Sequence, residues 1–97
     1  MYLCYFVPSE NRSLVDLIKE DNVIGRQTII VKDAGNFSFK EAGVILILEG
    51  AEEPLQKAAG LLGTKAEKID TKKSDEIYRK IKEEEEQADK GMGFLFG

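Results

Sequence analysis

The chain has 97 residues, 42% hydrophobic and 33% charged, with a formal net charge of −4. That is room for one small domain, too apolar for disorder and too charged for a membrane protein, and its negative field repels nucleic-acid backbones, so nucleic acid is excluded as a partner. No apolar run approaches the roughly 18 residues of a spanning helix, no signal-peptide pattern opens the chain, and the lone Cys4 has no intrachain partner, so no membrane association and a cytoplasmic location are expected.

Residues 2–7, "YLCYFV", form an unbroken apolar run ended by Pro8. A strand with one wet face alternates apolar with polar, so this one is expected to be covered on both faces. "SENRSLVDLIKEDN" places Leu14, Leu17 and Ile18 at helical spacing, with Ser9 or Ser13 as cap and Asn22 and Gly25 marking the end. Residues 26–33, "RQTIIVKD", are β-branched in the middle and polar at both ends, the composition of an edge strand. In the loop that follows, Ser38 and Glu41 have capping-box spacing, which predicts one helical turn.

"VILILE", residues 44–49, repeats the pattern of the first strand. "GAEEPLQKAAGLLG" reads as a helix, with acids and Pro54 in its first turn, Gly63 beyond its end and an inward stripe of Leu55, Ala58, Ala59 and Leu62. "KAEKID" alternates as a short strand, and Asp70 or Thr71 then caps a helix running to about Lys90, leaving "GMGFLFG", residues 91–97, as a tail.

The order βαββαβ predicts an α+β, ferredoxin-like sandwich over residues 1–90, with strand order 4-1-3-2 and an additional C-terminal helix from about residue 71. Its central strands would then be the two wholly apolar runs. Two crossover helices cover only one face of such a sheet. About six large side chains on the other, at roughly 1.5–3 kcal/mol each, need a cover that is either the third helix and tail or a second copy of the protein. Ile77, Tyr78 and Ile81, with Phe94 and Phe96 of the tail, are the expected interface residues of a homo-oligomer. The third helix also carries its charges against its own dipole. Residues 71–82 have five basic and two acidic side chains, and residues 83–89 have five acids, so a two-fold antiparallel copy would set opposite charges together. Alternatively, Asp75 with Arg79 and Glu76 with Lys80 support a solvated helix at i,i+4.

Catalytic chemistry finds little material. There is no histidine, the one cysteine sits in an apolar strand, and no phosphate-cradling glycine loop is present, so no catalytic residue is assigned. Asp33, Asn36 and Glu41 place hard oxygen donors in one loop, which makes a calcium- or magnesium-binding module the alternative function.

"VILILEGAEEPLQKAAGLLGTKAEKI", residues 44–69, resembles the second half of ACT-like regulatory domains, and "NRSLVDLI" is similar to the turn and helix start after their first strand. The resemblance implies side-by-side sheet pairing and a small-molecule effector. The expectation is therefore a small non-enzymatic binding or regulatory module, self-associating through its sheet face or C-terminal helix, with a small-molecule effector or a protein as partner.

Overall fold

A computed structural model describes residues 1–96 of the chain, with side chains described as far as Glu85. The strands are β1 (Tyr2–Pro8), β2 (Thr28–Asp33), β3 (Gly43–Glu49) and β4 (Glu67–Lys68), and the helices are α1 (Ser13–Glu20), α2 (Glu52–Leu62) and α3 (Thr71–Phe96). They form an α+β fold around one antiparallel sheet ordered β2-β3-β1-β4, which counted from the other edge is 4-1-3-2. The two apolar strands thus lie inside. β1 and β3 pair along their whole length, from Tyr2↔Glu49 to Pro8↔Gly43.

Period-two alternation explains why neither inner strand has a polar face. Tyr5 and Val7 of β1 and Val44, Leu46 and Leu48 of β3 join a cluster with Leu14, Val15 and Ile18 of α1 and Leu55, Ala58 and Leu62 of α2. The intervening residues, Cys4, Phe6, Ile45 and Ile47, point the other way and pack with Ala34, Phe37, Ile69, Ile77 and Ile81. The second face is therefore covered from within the chain, by the first part of α3 and by a 3₁₀ turn over Ala34–Phe37.

Helices α1 and α2 run antiparallel on the first face. Asn11, before α1, donates to the carbonyl of Lys65, after α2, at 2.9 Å, and Lys57 in α2 reaches Asp21, after α1, at 2.9 Å. Asp70 caps α3 as expected, its Oδ1 accepting the Lys73 N–H at 2.9 Å.

Several local expectations are corrected. Leu17 faces solvent at 57% exposure, and Val15 joins Leu14 and Ile18 in the core, because α1 turns the Val15 flank of the Leu14–Ile18 line, not the Leu17 flank, toward the sheet. Neither serine caps α1, whose N-cap position is Arg12. The helical turn in the 34–43 loop comes earlier than Ser38. Asp33 caps it, and Ser38 instead takes the left-handed conformation (φ 66°) that closes it. β4 shrinks to two residues, and α3 passes Lys90 and runs to Phe96, through the segment expected to be a tail.

Candidate functional site

The end of the sheet where β1 leaves and β3 enters is built around a close approach. Gly43 lies opposite Pro8, and a Cβ there would press into the Val7 carbonyl oxygen and come within 2.9 Å of the Phe6 ring. The chain is held together here by the Ser9 N–H, which donates to the Ala42 carbonyl at 3.1 Å. The turn after β1 and the last residues of β2 flank this end of the sheet.

Between them opens a cleft of about 290 Å³. Val31 and Val44 lie at its base, Ser9 and Arg12 on the α1 side, and Lys32 and Asp33 on the β2 side. Arg12 is exposed and Lys32 half-buried. Among the described residues neither makes an ion pair. Asp33 is partly committed, since its Oδ1 accepts the Gly35 N–H at 2.8 Å. Asp33 lies opposite Val44 and so on the α1 side of the sheet, whereas Lys32, opposite Ile45, has its side chain on the other face, so the cleft offers the Arg12 guanidinium beside one carboxylate. Sequence reasoning passed over it, because no local pattern ties residue 12 to the end of β2. Only the β1-α1-β2 crossover brings them together.

The metal donors expected in the 33–41 loop are placed differently. Asp33 spends one oxygen on the cap, Glu41 is exposed, and Asn36 offers its carbonyl to the Lys80 ammonium at 3.1 Å. A cation is thus already seated on this loop, and Phe37 and Ala34 turn inward to the core. Among the described residues no group of three or more His, Cys, Asp or Glu side chains could hold a metal ion.

Of the expected interface residues, Ile77, Tyr78 and Ile81 pack within the molecule itself. Ile77 and Ile81 are buried against the second sheet face, because the thin stripe they form is enough once Phe37 and Ala34 fill the rest. Tyr78 packs beside them, stacks on Tyr2 with ring centroids 4.6 Å apart, and donates to Glu49 Oε1 at 2.8 Å. Tyr2 donates to Asp75. These phenols join α3 to the ends of β1 and β3, and the carboxylates they face disfavour phenolate. Asp75, then burial, pushes Tyr2 up to about 12, and Glu49 raises Tyr78. The i,i+4 pairs Asp75–Arg79 and Glu76–Lys80 do not form. Asp75 instead faces Tyr2, and Lys80 faces Asn36 and the Phe37 ring at 5.3 Å. Phe94 and Phe96 lie outside the residues whose side chains are described.

Cys4 is buried, and burial pushes its thiol up to about 11 despite the nearby Ser74 hydroxyl, which works in the opposite direction. It is a packing residue, neutral at physiological pH. No helix among the described residues is long and apolar enough to cross a membrane. In comparison with known proteins, no family model, no curated protein and no solved structure matches this chain. The cleft must be interpreted from its own chemistry.

Proposed function

We propose that the chain is a non-enzymatic binding module that holds a small anion in the cleft between the β1–α1 turn and the end of β2. One observation carries this reading: Arg12, exposed and without an ion pair among the described residues, lines the cleft together with Ser9. A guanidinium without a carboxylate partner can hold an anion through charge-assisted hydrogen bonds, which are about twice as strong as neutral ones. A ligand there would bridge the start of α1 and the end of β2, tying the crossover at both ends. Effector binding would stiffen this half of the molecule, which is the regulatory part of the proposal.

The absence of an enzyme role is supported by the lack of histidine, by the neutral, buried Cys4 and by tyrosines whose ionisation is disfavoured. The succession of strands and crossover helices supports a ferredoxin-like reading of the fold. Residues 44–69, which supply β3, α2 and β4 in turn, support an ACT-like one. Self-association through the sheet face loses its driving surface, because α3 occupies that face. Its remaining support is the charge order along α3.

Thermal unfolding at low salt with increasing inorganic phosphate tests the reading. At about 100 times the dissociation constant, a ligand specific for the folded state adds about 2.7 kcal/mol, a rise in Tm of roughly 10 °C or more for a domain of this size. Arg12→Gln should cut that rise sharply and Lys32→Gln, on the other face of the strand, should not, while both leave the Tm without phosphate nearly unchanged. An unchanged Tm at all phosphate concentrations would contradict the proposal.

A further inference from the structure

The two edges of the sheet are finished differently. β4, at one edge, is two residues long and too short a template for another strand, whereas β2, at the other, runs for six residues without proline or bulge. The backbone groups that β2 leaves open follow from the bonding phase of the sheet. The Gly50 N–H donates to the Met1 carbonyl and the Ser9 N–H to the Ala42 carbonyl, each at a directly opposed pair, so Val44, Leu46 and Leu48 turn their backbone groups towards β1. Ile45, Ile47 and Glu49 then bond to their opposites in β2, which are Lys32, Ile30 and Thr28. The N–H and C=O groups of Ile29 and Val31 therefore point out of the sheet, and among the described residues no backbone bond from a turn or loop takes them up.

Residue order selects the strand that fits this edge. Folded back antiparallel about Ile30, residues 27–33 match themselves: Ile29 lies opposite Val31, Thr28 opposite Lys32 and Gln27 opposite Asp33. Apolar meets apolar, polar meets polar, and no like charges face each other. Centring the fold-back on Ile29 or on Val31 instead sets Ile30 against Thr28 or against Lys32. Centred on Ile30, it also opposes the two residues whose backbone groups are open, so each Ile29 and Val31 pair exchanges two bonds. The two-fold axis stands normal to the sheet, which keeps Ile29 and Val31 on the α1 and α2 face and Ile30 on the α3 face in both copies.

We propose that the outer edge of β2 is the interaction surface for a second copy of this chain, with the two β2 strands pairing antiparallel about Ile30 and joining two four-stranded sheets into one. The contact lies at an edge, apart from the face that α3 covers, and does not depend on the anion reading.

Sedimentation equilibrium of the full chain between about 1 µM and about 1 mM should show the mass doubling within that range. Disulfide trapping then reads the register. Thr28 is exposed and Lys32 half-buried, and along one strand the two positions are about 13 Å apart, too far for a bridge. Across the proposed pair they are opposed without exchanged bonds, at a Cα separation of about 4.5 Å, which a disulfide spans. Oxidation of Thr28→Cys chains mixed with Lys32→Cys chains should give a covalent dimer, and neither variant alone should; Cys4 is buried away from the reaction. A monomer at every concentration overturns the proposal. A dimer whose mixture fails to cross-link places the contact elsewhere and overturns it as well, and cross-linking of either variant with itself overturns the register about Ile30.

Discussion

The two faces of this sheet are covered in different ways. The first is roofed by two antiparallel amphipathic helices, α1 and α2, whose leucines, valines and alanines interlock with Val44, Leu46 and Leu48. The second is assembled from pieces: an isoleucine pair on α3, the Ala34–Phe37 turn, and aromatic side chains at the margins. Phe39 stacks on Phe6 with centroids 5.3 Å apart, and the Lys73 ammonium lies 4.6 Å from the Phe39 ring centre. Helices with a broad apolar stripe need little help at their edges. A helix with a thin one is held by what surrounds it, here by cation–π contacts and by tyrosines bonded to carboxylates.

If both covers are integral, truncation beneath either should cost alike. Leu55→Ala under the first roof and Ile81→Ala under the second should each lose about 2–5 kcal/mol in urea unfolding. A cost for Ile81→Ala below about 1 kcal/mol would mean that the second face is only loosely closed. Gly43→Ala tests the ground both faces share. Its methyl group would meet the Val7 carbonyl and the Phe6 ring, so a loss of about 1–3 kcal/mol is expected, with a strand pairing that NMR shows to be distorted near Pro8.

Smaller effects separate the margins. Tyr2→Phe and Tyr78→Phe remove the hydroxyl bonds from α3 to the strand ends while keeping the ring stack. Each should destabilise less than Ile81→Ala and raise hydrogen exchange in α3 more than in α1 or α2.

The smallest effect sits on the first face. Asp21 accepts the Ile24 and Val23 N–H groups and pairs with Lys57, which together lower its carboxyl from 3.8 to about 2. A depressed folded-state value adds stability that is complete above about pH 4 and is lost as the pH falls through 2. Asp21→Asn should therefore flatten the acid limb of the stability curve in that window. An unchanged limb would assign the acid sensitivity elsewhere.

The same contrast shows what could be read from residues alone. The unbroken runs at 2–7 and 44–48 announced two covered faces, and their position inside the sheet followed from the element order βαββαβ, with which the polar character of the other two strands agrees. The stripe of α2 was legible because Leu55, Ala58 and Leu62 repeat at regular spacing. In α1, Leu14 and Ile18 were legible as core, but Val15 and Leu17 flank that line on opposite sides and only the packing decides which one is buried. The cover of the second face was legible only in part. Ile77 and Ile81 were visible as a stripe, but whether they face their own sheet or another copy depends on Phe37 and Ala34, loop residues without periodicity. The cleft was not legible, since its charges meet through the crossover.

The central claim is that α3 closes the second face of its own sheet. In a sample of equal parts isotope-labelled and unlabelled chains, nuclear Overhauser contacts between the methyl groups of Ile77 and Ile81 and those of Ile45 and Ile47 should arise entirely within single chains. Contacts between a labelled and an unlabelled chain would show that a second copy provides the cover, and would contradict the account.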